Sequence, residues 1–381
     1  MKTKTILGQP SWRVASSHVQ AHLTQLGGHL GPMTFRVGGR KIQPYSVAPG
    51  AEEKVDPALP SMLRVLRGDF FCMPFGGNAT PYGKEQHPPH GDTANLKWKA
   101  KSVKAQQGVT QFHARLKTKV RHGRVDKWVR LVDGQSVVYQ QHVVSAMSGR
   151  MNYGHHAMLK FPAESGSGLL ATSPFVYGQV FPGEFENPEE GGYQSLKPGA
   201  LFRSLAAVPM LNGESADLTR YPARLGFEDL AIIVADDRVP FAWSAVTFPQ
   251  QRYVWFALKD PQVLRETVFW CSNRGRHMPP WSSRHVSVLG VEEVMGCFHY
   301  GLAQSVDKKN PLAKRGFQTC ANLNPKKPLV VNYIMAVAAI PRGFDHVKSI
   351  TAVPGGVELR SVSGKKVRAK VDVGFLAAAA L

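Results

Sequence analysis

Cysteine is scarce in this chain of 381 residues: Cys72, Cys271, Cys297 and Cys320 stand far apart, with no C-x-x-C pair among them. That spacing argues against a disulfide framework and a zinc knuckle, and leaves reduced, mostly buried thiols as the expectation. Long apolar runs are missing too. Hydrophobic residues make up 43% of the chain but nowhere approach the roughly 18 consecutive positions that span a bilayer. The opening "MKTKTILGQPSWRV" has no apolar signal core, so a cytoplasmic protein with no membrane partner is expected. There is also no G-x-S-x-G elbow, no glycine-rich phosphate loop and no G-x-G-x-x-G between strand and helix, which leaves nucleophilic triads and nucleotide cofactors without support.

Acidic residues are in short supply. Against 47 Lys and Arg stand 27 Asp and Glu, a net charge of +20, which favours polyanions through long-range attraction and counterion release. The cations are scattered, and the dense cluster is "GKKVRAK", Gly364 to Lys370. A basic surface coat accounts for that distribution, and no interleaved basic and aromatic motif points to a specific nucleic acid. A non-specific polyanion binder stays open as one functional alternative.

Helical periodicity is almost as scarce as cysteine, whereas strand periodicity runs through most of the chain. "VTQFHARLKTKV", Val109 to Val120, places most of its apolar residues on one sheet face, as a half-buried antiparallel strand requires. Turns are expected at Gly38-Gly39, Asp133-Gly134, Gly355-Gly356 and Gly364, where glycine supplies the backbone freedom that tight hairpins need. One helix is expected near Pro261 to Val268, capped by Asp260. Long loops are expected at Ala48 to Pro60, Pro162 to Pro198, Ser272 to Arg284 and Asp307 to Lys327, the sort of segment that carries function. No repeat or linker divides the chain, so residues 1–381 read as a single all-β domain of large antiparallel sheets with few short helices.

Three places combine ionisable side chains with strand and turn context: His87 and His90 in "HPPHGDTANLKW", His155-His156 in "MNYGHHAMLKFP", and Glu292-Glu293 in "HVSVLGVEEVMGCFHY". Each histidine has a bland reading as a surface or hydrogen-bonded core residue. Adjacent residues on a strand point to opposite faces, so one member of each pair can serve a given site. His87 and His90 are spaced for one helix face, but Pro88-Pro89 prevents that helix, so no metal is expected. A carboxylate and an imidazole from distant segments suit proton transfer, the first taking a proton and the second giving one.

In their order and approximate spacing, these motifs resemble the aldose 1-epimerase (galactose mutarotase-like) superfamily over about Gly68 to Gly296. His90-Gly91 leading to Asn95 and Trp98, His156 before Ala157, and Glu292 after Gly290-Val291 look like its three motifs. The match has gaps. Asn78-Ala79 stands where the family usually has Asn-Arg, Ala94 stands where an arginine is common, and Glu293 follows the glutamate where proline is usual. The acidic residue that grips the sugar has only Asp236 and Asp237 as candidates.

The resemblance implies a β-supersandwich and interconversion of sugar anomers by ring opening, with Glu292 as base, His156 as acid and His90 as the residue supporting developing charge. No cofactor is implied. Asn78, Asn95, Trp98, Asn273, Arg276 and Trp281 are the candidate substrate-binding residues, with Trp255 a further aromatic platform. Each tryptophan also reads as core. Arg276 and Arg284 on the Ser272 to Arg284 loop could replace the absent arginines and extend the substrate from neutral to anionic sugars. The expected partner is a monosaccharide or a derivative, handled by a monomer or homodimer. A carbohydrate-binding or regulatory protein without turnover remains the main alternative.

Overall fold

The computed structural model describes residues 1–54 and 56–381; Val55, inside the expected Ala48 to Pro60 loop, lies outside the described residues. Two large antiparallel sheets dominate. In the nine-stranded sheet the central strands Ala242–Phe248, Tyr253–Lys259, Leu329–Ala339 and Val137–Ser145 are hydrogen-bonded in that spatial order, and Lys99–Gln106 forms one edge. The second sheet runs through Phe175–Val180, Phe227–Ala235, Glu266–Asn273, Val288–Met295 and Tyr153–His155 to Phe71–Cys72, with Ala157–Lys160 also paired to Val288–Met295. A five-stranded N-terminal meander over Lys4–Ile42 and a three-stranded sheet over Val347–Ala369 complete the larger elements.

Side-chain alternation explains the layering. Phe269 and Val291 of the second sheet join Trp12, Phe35, Phe112 and Met335 in one core, while Ile334, Phe256 and Tyr139 face the other way and pack against Val357, Leu359 and Phe375 of the C-terminal segment. On the opposite face of the second sheet, Leu230, Val268, Trp270 and Val294 pack under the loops that carry Phe70, Trp281 and Phe298. The architecture is the expected β-supersandwich. Among the described residues no helix is long and apolar enough to cross a membrane.

The hairpins fall where glycine is expected to put them, with strands flanking Gly38-Gly39, Asp133-Gly134, Gly355 and Gly364. Other expectations need correction. Pro261 to Val268 is not a helix: Asp260 Oδ1 accepts the Gln262 amide and its carbonyl accepts the Val263 and Leu264 amides, but the segment then enters the strand Glu266–Asn273. The β-branched and aromatic run "TVFW" belongs to a pleated, buried strand, and sheet pairing outweighs the single capped turn. Nor is Pro162 to Pro198 one loop, because it contains Gly168–Thr172 and Phe175–Val180. Ser272 and Asn273 likewise belong to a strand.

Between the two large sheets Glu293 sits in a paired polar cluster, although His142 and the Tyr333 hydroxyl, also buried there, have no hydrogen-bond partner among the described residues. Glu293 accepts from Ser244 and Thr267, each at 2.6 Å, and meets the Lys259 ammonium, which also donates to the Glu266 carbonyl at 2.7 Å. Lys259 and Glu293 are almost wholly buried, and burial pulls the Lys259 pKa down against the pull of Glu293. Removing one partner strands the other charge. Lys259→Met is therefore expected to lower the unfolding free energy by about 3–5 kcal/mol, whereas Lys259→Met with Glu293→Gln recovers most of the loss. Urea unfolding of the two variants checks this; a loss below about 1 kcal/mol for the single variant would show that no buried charge is left stranded.

Candidate active site

The site grows from one face of the second sheet. Leu230, Trp270 and Glu292 sit on three neighbouring strands in near register, Leu230 opposite Trp270 and Trp270 opposite Gly290. Their side chains share the face away from the nine-stranded sheet and line a cavity of about 230 Å³. Glycine at 290 is what lets Glu292 fold down there: a Cβ on Gly290 would stand 2.8 Å from Glu292 Oε1 and 3.0 Å from Trp270 Cβ.

His156 occupies the break between the strands Tyr153–His155 and Ala157–Lys160, both paired to Val288–Met295. Its amide donates to the Phe70 carbonyl and its ring stacks on Phe70 at 4.7 Å. His156 Nε2 and Glu292 Oε1 lie 3.2 Å apart. The neighbours of these two residues face inward as strand alternation requires: His155 Nδ1 meets Asp69 at 3.0 Å, and Glu293 meets Lys259.

His90 enters from a strained turn. It and Gly91 both have positive φ, 57° and 71°, and a Cβ at Gly91 would stand 2.0 Å from the Met73 carbonyl oxygen, so that turn tolerates only glycine after His90. The Gly76 amide donates to His90 Nδ1 at 3.4 Å, which fixes the neutral tautomer with its proton on Nε2. The His90 ring stands edge-on to His156 at 5.0 Å. His87 is held aside, with Nε2 on Glu85 at 2.9 Å.

Burial sets the electrostatics. Desolvation pushes Glu292 well above the usual carboxylate range and pulls His156 down to about 3. His299, on the cavity wall, is held at about 4 by burial and then by Arg276. His90 falls well below its ordinary value, through burial first and then the neighbouring His156 and His299. A single proton leaves Glu292 and His156 uncharged overall, and the two shifts favour it on Glu292 with His156 neutral, the arrangement that a dry cavity stabilises.

The far wall is aromatic and basic. The Arg276 guanidinium lies 5.4 to 5.5 Å from the ring centres of Trp270, Trp281 and Phe185 and pairs with Glu186 through Nε at 2.7 Å and Nη2 at 2.6 Å. Behind it Glu228 accepts from Trp270 Nε1 and Ser272 Oγ, each at 2.9 Å, and burial lifts it to about 7. Burial also raises Glu186, although Arg276 pulls it down.

Of the residues singled out in the sequence, Glu292, His156, His90, Arg276 and Trp281 line this cavity. Asn78, Asn95, Trp98 and Asn273 do not, because their polar atoms are spent on the chain itself. Asn78 donates to the Pro74, Gly76 and Pro88 carbonyls and accepts the Leu302 amide. Asn95 ties Pro89 and Gly91 to the Met62 amide. Trp98 donates to the Thr93 carbonyl, and Asn273 bridges Ala223 and Ser287. Trp255 is fully buried and donates to the Tyr45 hydroxyl. Arg284 pairs with Glu53 at the surface, and Asp236 and Asp237 are engaged by Arg238 and Arg265.

The sequence reading missed His299, Trp270, Glu186 and Glu228. Glu228 had a signal, the adjacent carboxylates Glu228-Asp229 at the head of the strand "FEDLAIIVA", while the others arrive on segments whose convergence only the fold reveals.

No family model matches the sequence, and no curated protein matches it. Solved structures do. A Klebsiella pneumoniae protein provisionally named an aldose 1-epimerase aligns with a TM-score of 0.60 at 13% identity, covering 87% of this chain and 80% of that one. An Escherichia coli protein named in the same way gives 0.57 at 11%, covering 87% and 100%. A galactose mutarotase-like protein of Clostridium acetobutylicum gives 0.56 at 12%, covering 89% and 98%. Strand order, the stacking of the sheets and these alignments agree: the chain has the galactose mutarotase-like fold.

Proposed function

We propose that the protein is an aldose 1-epimerase acting on a monosaccharide. The observation that carries this reading is the buried Glu292 and His156 pair, 3.2 Å apart, at the base of a cavity edged by His90. Mutarotation needs two proton movements at neighbouring oxygens. A base takes the proton from the anomeric hydroxyl while an acid delivers one to the ring oxygen, the ring bond opens, and the aldehyde rotates before the steps reverse.

With Glu292 ionised and His156 protonated, the pair can do both at once, and it ends as a neutral acid and a neutral imidazole. Those two states hold the same number of protons. Burial favours the neutral form, which matches the open-chain intermediate, and each turnover leaves the proton count unchanged. His90 Nε2–H, kept as a donor by the Gly76 amide, stabilises charge that develops on the ring oxygen. Trp270 and Trp281 offer flat faces to the sugar's C–H groups.

Arg276 supports a neutral rather than an anionic sugar. Glu186 already takes two of its donors, and Glu228 stands behind it, so the wall presents a compensated polar cluster and not a free cation. The mainly apolar lining favours one second reading, a sugar-binding protein without turnover. NMR exchange between anomer signals separates the two.

With a panel of neutral, phosphorylated and uronic aldoses, exchange is expected to accelerate for a neutral sugar. It should fall by about 10²–10⁴-fold in Glu292→Gln and in His156→Gln. Sugar-dependent shifts without faster exchange would establish the binding protein instead.

The pH profile gives an independent check. The pair works while it holds one proton; acid inactivates it by adding a second to His156, whose pKa is about 3, and alkali inactivates it by removing the last. On the acid side the exchange rate is therefore expected to show no fall around pH ~6.5, where an ordinary histidine titrates, while circular dichroism shows the fold intact. A half-maximal point near ~6.5 on the acid side would mean that His156 titrates as an exposed imidazole and would remove the coupled-pair mechanism.

A further inference from the structure

Beside the cavity lies a larger groove of about 670 Å³ on the edge of the nine-stranded sheet. Its walls carry Lys97, Lys99, Lys101, Arg115, Lys117 and Lys119, joined by Arg64 from the single-turn 3-10 helix Ser61–Arg64. One carboxylate compensates this array: Asp126 pairs with Arg115 at 2.7 Å. Asp92, below the groove, accepts the Lys119 and Val120 amides and is buried. Among the described residues the five lysines and Arg64 have no carboxylate partner.

The cations also stand against each other. Lys99 lies directly opposite Arg115, and Lys117 opposite Arg124, in the antiparallel ladders. Arg115 and Arg124 both turn to Asp126, at 2.7 and 3.0 Å, so Lys99 and Lys117 opposite them are left as the uncompensated charges that a bound polyanion would meet.

We propose that this groove binds an anionic saccharide chain, bearing uronate or sulfate groups, along the edge strand. Two features select that ligand class. The residues lining the groove include Leu26, Leu96 and Leu116 but no aromatic ring, so successive nucleobases would find nothing to stack on, although stacking supplies much of the affinity for single-stranded nucleic acid. The same 3-10 helix gives Met62 and Leu63 to the proposed sugar cavity and Ser61 and Arg64 to the groove, so the two are neighbours across one turn of chain. The groove's charge stands by itself; the choice of a saccharide over another polyanion rests on the function proposed for the cavity.

The test measures binding of fluorescently labelled oligogalacturonate and heparin oligosaccharides, with single-stranded DNA and RNA of matched charge as comparators, over a range of salt. The proteins are wild type, Glu292→Gln, a groove variant (Lys99→Glu, Lys101→Glu, Lys117→Glu), its neutral counterpart with Gln at the same three positions, and a control reversed at Lys365, Lys366 and Lys370. Wild type, Glu292→Gln and the control are expected to bind an anionic oligosaccharide within about twofold of one another. The groove variant should lose about tenfold or more, the neutral counterpart should lose an intermediate amount, and wild-type affinity should fall as salt rises. Groove variants that bind as tightly as wild type would overturn the site, as would equal losses in the control. Tighter binding of DNA or RNA than of any saccharide would overturn the ligand class. Because Glu292→Gln keeps the groove intact, a failure of anomer exchange leaves this result readable.

Discussion

The period of two along a β-strand is the constraint on which the rest of this structure depends. On Val288–Met295 it sends Glu292 to the cavity and Glu293 into the space between the sheets; next door it does the same with His156 and His155. A slip of one residue that carried Glu293 into Glu292's place would put Val294 where Glu293 stands between the sheets. Glu293 would then face the cavity, and the Lys259 ammonium between the sheets would lose its carboxylate. The buried Lys259 and Glu293 contact is thus more than local stabilisation, because its loss is the cost of the wrong register. The chemistry proposed for one face is indexed by an ion pair on the other.

Burial then supplies what the residue types alone do not. An exposed glutamate and histidine would be an ordinary anion and a group titrating near ~6.5. Beneath Phe70, Trp270 and Trp281, desolvation raises the glutamate and lowers the histidine until a protonated Glu292 beside a neutral His156 is favoured. The same physics governs Glu228 and Arg276 across the cavity, where burial would be prohibitive for a lone charge and is relieved by clustering. Both walls are therefore nearly neutral as units, although each is built of ionisable groups.

How much of this was legible in the sequence follows from the range of the signals. Alternation and glycine turns are local, so the all-β class and the main hairpins could be read directly. That His90, His156 and Glu292 would meet at one cavity was expected from the resemblance of their ordered motifs to a known family, and the small residues of those motifs have local work to do, Gly91 in its tight turn and Gly290 under the glutamate carboxylate. The asparagines were not legible. An asparagine side chain offers the same donors and acceptor to a sugar hydroxyl as to a backbone carbonyl, and Asn78, Asn95 and Asn273 all bond the backbone. Trp270 was hidden inside a strand whose every residue is buried, where nothing in the sequence marks which face meets a cavity and which meets a core.

Charge placement was the least legible property. The sequence shows +20 and a visible run near the C-terminus, yet the cationic groove draws its side chains from the 3-10 helix near residue 64, the segment around Lys97 and two paired strands. No window of the sequence contains that groove, because a sheet juxtaposes residues whose separation along the chain is set by hairpin length. The opposed Lys99 and Arg115 are sixteen positions apart in sequence and direct neighbours in space. A scattered distribution along a chain is therefore weak ground for inferring a scattered distribution on a β protein's surface, where a pairing register can gather isolated lysines as readily as it gathers a core.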